Sequence, residues 1–363
     1  MSKKYYLGYD IGGTKCAVIL GEEPWSENGK PAEGSILEES AESGGELTIL
    51  ARKEESAESG GELTILARKE IPTDHTVSPY VMLDRLTELS QEAALENEIE
   101  ITDVISCGVS CGGPLNSKEG LILSPPNLLG WDRVPVVSYL KEKLGMPVAL
   151  QNDANAGALA EWRYGAAKGY KNVIFLTFGT GFGAGLILDG RLYSGTNDLA
   201  GEVGHIRIAE HGPVGFGKEG SMEGFCSGGG LARLAQTKAL EQLQQGKRVS
   251  FYEGTDAEGL SSITAKDVAL AAHRGDKLAK EVYDISAEYL GRGLALLIDL
   301  LNPEIIVIGS VYARNEELFR DRVQKVIARE ALSLSAGVCK IVPAALSEQI
   351  GDYAALAVAA LAA

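Results

Sequence analysis

Little in this sequence is suited to cross-linking it. Its five cysteines (Cys16, Cys107, Cys111, Cys226 and Cys339) are odd in number, scattered, and form no CxxC pair. That argues against a disulfide framework and for a reducing compartment. Positive charge is also short: 34 Lys and Arg face 50 Asp and Glu, for a formal net charge of −16. Neutralising a phosphate backbone needs a basic face, so nucleic acid is not expected as a partner. No apolar run reaches membrane-spanning length and no cleavable signal is visible, so no membrane partner is expected and the cytoplasm is the expected location. GxxxxGK[ST] is absent, which removes the P-loop.

What the chain does have is length and glycine. At 363 residues it exceeds the usual size of one hydrophobic core, which predicts two domains around a cleft. Its 44 glycines gather at Gly12-Gly13, Gly112-Gly113, Gly179 to Gly185 and Gly228-Gly229-Gly230, each beside an apolar run. Such clusters bring backbone close to a ligand or make tight turns. Residues 39–54, ESAESGGELTILARKE, recur unchanged at 55–70. Perfect identity is not the pattern of a solenoid, so a recent tandem duplication or an artefact is the reading. One copy suffices for the third strand of an antiparallel meander after strands at Lys4–Asp10 and Cys16–Glu22. The other is expected as an exposed excursion.

Further on, Met82, Leu86, Leu89 and Ala93 fall at helical spacing after Ser78-Pro79. Val104–Ser110 reads as a strand, Cys111–Pro135 as a long loop, Val136–Leu144 as a helix, and Val148–Gln151 as a strand running into a helix at Ala154–Tyr164. A second round begins near Val173, with strands at 173–178, 184–188, 304–308 and 339–342 and helices at 276–301, 316–328 and 354–363. Two similar α/β units in series predict duplicated halves facing each other.

Three motifs sit where chemistry could occur. Asp10-Ile11-Gly12-Gly13-Thr14-Lys15 joins two strands, and its glycines can expose N–H groups as an anion nest, with Asp10 placed to hold Mg²⁺ directly or through water. A plain hairpin is the alternative. Gly179-Thr180-Gly181-Phe182-Gly183 leads into another strand rather than a helix, so it is not a dinucleotide fingerprint; it is a glycine hairpin or a second phosphate loop. Asp153 lies at a strand-to-helix junction, either as a helix cap or as the base that phosphoryl transfer to a hydroxyl requires. Asn127, Asn152, Glu202, His205 and Glu223 add a polar set of the kind a polyol needs, though each alone reads equally as a surface residue.

Four stretches, DIGGTK (10–15), GVSCGGPLN through PNLLGW (108–131), NDANAGALAE (152–161) and GTGFGAG through AGEVGH (179–205), together make the chain resemble the ROK family of sugar kinases and repressors over nearly its whole length. The resemblance implies a two-domain actin-like, hexokinase-like α/β fold (a duplicated ribonuclease-H-like unit), with 1–150 plus 346–363 as the smaller domain and 151–345 as the larger. It implies ATP-dependent phosphorylation of a hexose or N-acylhexosamine, with ATP and Mg²⁺ as cofactors and a homodimer or homotetramer as the assembly. Residue by residue, Asp10, Gly12, Gly13, Thr14 and Lys15 match the first phosphate loop and Thr180, Gly181 and Gly183 the second. Asp153 matches the catalytic base. Gly113, Asn127, Asn152, Glu202, His205 and Glu223 match the sugar contacts.

Two departures stand out. The family's zinc motif CxCGxxGCxE appears as Val214-Gly-Phe216-Gly-Lys-Glu-Gly-Ser221-Met-Glu223, with all three cysteine positions lost. Zinc is therefore not expected, and Val214 and Phe216 are predicted to pack apolar surface in its place. The glycine run near the adenosine site is thinned to Gly309-Ser310-Val311, which predicts a tighter base pocket. Family repressors carry an N-terminal helix-turn-helix; with a first strand read at about Lys4, none is expected here. A catalytically silent sugar-binding sensor is the competing reading.

Overall fold

The computed structural model describes residues 2–25 and 63–363. The first repeat copy and the start of the second, with the excursion expected there, lie outside the described residues. The rest of the second copy forms the third strand of the meander, as predicted.

Strand β1 (Ser2–Ile11) runs antiparallel to β2 (Lys15–Trp25), and β2 antiparallel to β3 (Thr64–Pro72). Helix α1 (Pro79–Glu96) is capped by Ser78, whose hydroxyl accepts from the Val81 N–H at 3.4 Å. Pro79 opens it at no hydrogen-bonding cost. β4 (Val104–Cys111) pairs parallel with β1. The stretch expected as an unbroken loop contains a small ribbon, β5 (Leu115–Asn116) against β6 (Leu121–Ile122). Strands of two residues have no alternation to read. α2 (Val136–Leu144), β7 (Val148–Asn152) and α3 (Asp153–Tyr164) follow, giving a sheet of order β3-β2-β1-β4-β7.

The second round opens with β8 (Val173–Phe178), β9 (Phe182–Leu188) and β10 (Arg191–Leu192). A hairpin, β11 (Val214–Gly215) with β12 (Lys218–Glu219), leads to α4 (Met222–Cys226), α5 (Gly228–Gln244), α6 (Ala265–His273) and α7 (Lys277–Leu301). Then come β13 (Ile305–Ile308), α8 (Ser310–Arg314), α9 (Glu316–Glu330), α10 (Ser333–Ala336), β14 (Lys340–Pro343) and α11 (Ile350–Ala362). The second sheet has the order β10-β9-β8-β13-β14. Both sheets thus place the first strand of an antiparallel hairpin at the centre and add two parallel strands beyond it. The duplication inferred from element order is a duplication of topology.

α3 and α11 lie back to back between the sheets, in a core that draws Tyr6, Ala17 and Ile19 from the first sheet and Val173, Phe175 and Val307 from the second. Both helices are rich in alanine where they meet, which lets backbones approach. Gly8 and Gly108 face each other across β1 and β4, and α11 lies directly over them. Among the described residues, no helix is long and apolar enough to cross a membrane.

Candidate active site

The two glycine turns occupy equivalent places in the two sheets. In the first, β1 and β2 close through Ile11↔Cys16, and the Gly12 N–H donates to the Lys15 carbonyl at 3.0 Å. Gly13 is there because nothing larger fits: a Cβ would lie 2.4 Å from the Asn127 carbonyl oxygen. That approach brings the first turn against the 127–131 loop. Thr14 and Lys15 are exposed, and the Lys15 ammonium pairs with Glu70 at 2.8 Å across the sheet. In the second turn, the Gly179 N–H donates to Gly181 O at 3.1 Å, and the Gly183 N–H to the Thr177 hydroxyl at 2.9 Å. The Gly228 N–H donates to Gly179 O at 2.7 Å, and a Cβ on Gly230 would meet the Gly224 carbonyl at 2.2 Å. The glycine run at 228–230 therefore starts α5 tight against the second turn.

Asp10, at the end of β1, and Asp153, at the start of α3, line one cavity of about 530 Å³ with Thr177, Gly179, Gly309, Ser310 and Arg314. Asp153 is reached by solvent from the cleft, yet the surrounding walls push its carboxyl above the ordinary range, while the Ala154 N–H, donating at 2.8 Å, acts the other way. The helix cap is Asn152, whose side chain accepts from the Asn155 N–H at 2.7 Å, so capping does not occupy Asp153.

Burial drives the Asp10 carboxyl from 3.8 up to about 6, reinforced by Asp352 and Asp153 and opposed by Arg68 and Lys15. A divalent cation would relieve that repulsion, so the residues present fit Mg²⁺ beside Asp10. We expect the KM for Mg-ATP to rise as pH falls through about 6, because protonation removes the Asp10 charge. A KM flat from acid to neutral pH would remove Asp10 from the metal site. The same shift makes stability depend on pH, because the folded protein binds this proton more tightly than the unfolded chain does. Its contribution is therefore fullest below the ordinary value of 3.8 and is lost as pH rises through about 6.

The expected sugar-contact residues gather less evenly. Glu223 accepts the Phe182 N–H at 3.1 Å, which ties α4 to the second glycine turn. Partial burial pushes the Glu202 carboxyl up, with Asp153 and Glu223 adding to it and His205 opposing, so all three lie near enough to act on Glu202. Asn152 donates to the Asp198 carbonyl at 3.4 Å. Gly112 lies by the Asn127 side chain, 3.5 Å from its Oδ1 if a Cβ is built, while Gly113 and Asn127 are exposed.

The prediction that Val214 and Phe216 pack apolar surface fails. They are 47% and 80% exposed. The reason is the hairpin: Gly215 pairs with Lys218, so Phe216 and Gly217 form a two-residue turn with φ of 43° and 73°, pointing outward. Gly215 faces inward instead, where a Cβ would meet the Gly224 nitrogen at 2.5 Å.

Several residues of the cavity, and Asp198 outside it, escape sequence reading. Arg314 donates to Glu348 at 2.7 Å and to the Ser310 hydroxyl at 3.1 Å, and all three line the cavity. Ser310 and Ser347 hold φ of 49° and 47°, left-handed backbone that serine adopts only under constraint. Asp198, 5% exposed, accepts both the N–H and the hydroxyl of Ser117 at 2.7 Å and so joins β5–β6 to the second unit. Apart from Ser310, which the resemblance places near the adenosine site and which does line the cavity, no local pattern marks these groups.

The ROK family model matches residues 52–362. The chain belongs to the ROK family. A glucokinase of Streptomyces coelicolor is 30% identical over 356 residues, covering 98% of this chain and 96% of that one. A xylose repressor of Caldicellulosiruptor bescii is 32% identical over 225 residues, covering 62% of this chain and 54% of the repressor. Among solved structures, a ROK family glucokinase from Streptomyces griseus in complex with glucose and AMPPNP aligns with a TM-score of 0.67 at 25% identity, over 98% of this chain and 99% of that one. The expected actin-like α/β architecture is the one observed.

Proposed function

We propose that this ROK protein is a sugar kinase, transferring the γ-phosphoryl group of ATP to a hydroxyl of a hexose or N-acylhexosamine. The observation that supports it most is the pairing of Asp10 and Asp153 at one cavity beside the second glycine turn. A pure sensor has no chemical need for both a metal-holding carboxylate and a base. The glucokinase relative aligned end to end strengthens the reading.

In this reading Asp153 accepts the proton of the attacking hydroxyl, and its raised pKa brings it nearer the working pH of a general base. Glu202, His205, Glu223, Asn127 and Asn152 orient the sugar through its hydroxyls. The Gly12, Gly179, Phe182 and Gly183 N–H groups hold the turns together within the protein, which leaves the amides of Gly13, Thr180 and Gly181 to face the phosphates, with the Thr14, Lys15 and Thr180 side chains at the rims. Mg²⁺, when bound beside Asp10, supplies charge neutralisation on the phosphates. The boundaries near 150 and 345 belong to the same reading: the first falls within β7 and the second after β14, and α11 packs on β1 and β4 of the first sheet as well as on α3. Closure across that boundary would exclude water as a competing acceptor.

The test is ATP consumption with Mg²⁺ across glucose, mannose, fructose, allose, N-acetylglucosamine and N-acetylmannosamine. Turnover on at least one sugar is expected. Calorimetric sugar binding with no turnover on any would instead establish a sensor.

A further inference from the structure

The metal that the family implies beside His205 does not fit this chain. Val214 and Phe216 offer no donor atom. Ser221 is buried, its hydroxyl accepting the Gly224 N–H at 3.1 Å and donating to Gly215 O at 3.4 Å. The buried Cys226 thiol faces the Ser286 carbonyl at 3.8 Å. Among the described residues, no group of three or more His, Cys, Asp or Glu is placed to hold a metal ion. A tetrahedral thiolate and imidazole site cannot be assembled from these side chains.

Direct hydrogen bonds cross the same gap. His205 ends a single turn of 3-10 helix at Val203–His205, so no helical N–H continues on to its carbonyl. The Lys218 ammonium donates to that carbonyl at 2.7 Å. A reciprocal contact runs the other way, with Arg207 donating to Glu219 O at 2.6 Å. Backbone bonds complete the lacing: Ile208 N–H to Gly220 O at 2.9 Å, and Met222 N–H to Ile206 O at 2.8 Å. The strained turn at Phe216-Gly217 sets this up, because a two-residue loop puts Lys218 directly opposite Gly215 and beside the 205–208 segment. The Phe216 ring stands edge-on to the His205 imidazole, centroids 6.5 Å apart.

We propose that Lys218 is the positioning residue for His205, an ammonium staple that holds the sugar-contact histidine without a metal. This rests on the sugar-kinase reading for the role of His205, but the staple itself does not. Lys218 acts on the backbone of His205, and neither it nor its hairpin lines the cavity that Asp10 and Asp153 share. Its loss should therefore weaken sugar binding and leave nucleotide binding alone.

Lys218→Met keeps the aliphatic stem and removes the donor. We expect sugar Kd and KM to rise about tenfold, the worth of one charge-assisted hydrogen bond, with the KM for ATP and the melting temperature unchanged. Lys218→Arg should stay within about twofold of the parent, since its guanidinium retains a donor. A zinc chelator, with Mg²⁺ in excess, should leave sugar affinity unchanged in the parent protein. Amide hydrogen exchange over 203–209 reads the staple independently of any sugar, and should accelerate in Lys218→Met. Unchanged exchange with unchanged Kd overturns the inference, as does a chelator that loosens sugar binding in the parent. Faster exchange in a protein that binds no sugar sinks the sugar reading and leaves the staple standing.

Discussion

Asp153→Asn is expected to lower kcat by about a thousandfold or more, while sugar affinity measured by calorimetry stays within a few fold of the parent. The substitution is nearly isosteric, and its amide oxygen can still accept the Ala154 N–H that Asp153 accepts at 2.8 Å. Helix α3 keeps its start because Asn152 supplies the cap. What is lost is a group able to take a proton. Position also matters: Asp153 is solvent-accessible from the cleft, at the carboxyl edge of the first sheet, where a substrate hydroxyl can reach it. The raised pKa gives a second signature, since the acidic limb of kcat/KM should lie above the range of an ordinary aspartate. Turnover in Asp153→Asn comparable to the parent would refute its role as base and reassign it to sugar orientation alone.

The fold was largely legible in the sequence because its signals are local. The strand-to-strand glycine turns at 12–13 and 179–183 announce themselves by composition. The cap at Ser78-Pro79 and the apolar periodicity of α7 do the same for two helices, and element order alone revealed two rounds of one topology. Asp10 and Asp153 are legible as candidates because each sits where a strand gives out, Asp10 before a glycine turn and Asp153 at the strand-to-helix junction. The parts that stayed hidden depend on what the chain meets elsewhere. Arg314 enters the cavity through its pairing with Glu348, thirty-four positions away, and Asp198 binds Ser117 across eighty-one. The left-handed backbone at Ser310 and Ser347 has no residue-type signal, since serine is not what that conformation favours. Phe216 misled for the same reason. A bulky apolar residue predicts burial, and only the turn register shows that it points to solvent.

Gly108→Ala is expected to destabilise the protein by at least about 3 kcal/mol, more than most core substitutions of one methyl group. An added Cβ would lie 2.1 Å from the Ala359 nitrogen, 2.2 Å from the Ala355 carbonyl oxygen and 2.7 Å from the Val358 carbonyl carbon. All three are backbone atoms of α11, so no side chain can rotate away, and the whole helix must lift from the sheet. Gly8, its neighbour on β1, presents a different case: its added Cβ would meet the Ala355 Cβ first, at 2.7 Å. Removing that methyl with Ala355→Gly should therefore relieve part of the cost of Gly8→Ala and almost none of the cost of Gly108→Ala. Chemical denaturation of the three single variants and the two double variants would separate the two cases, and equal rescue of both would show that helix and sheet are less rigidly seated than these distances require. The effect should also reach the site. The first turn of α11 touches Asp10, since a Cβ on Gly351 would lie 2.9 Å from its Oδ2, and Asp352 is among the charges that raise the Asp10 pKa. Lifting α11 moves Asp352 away from Asp10, so a folded Gly108→Ala protein should show the Asp10-dependent rise in ATP KM at a lower pH than the parent.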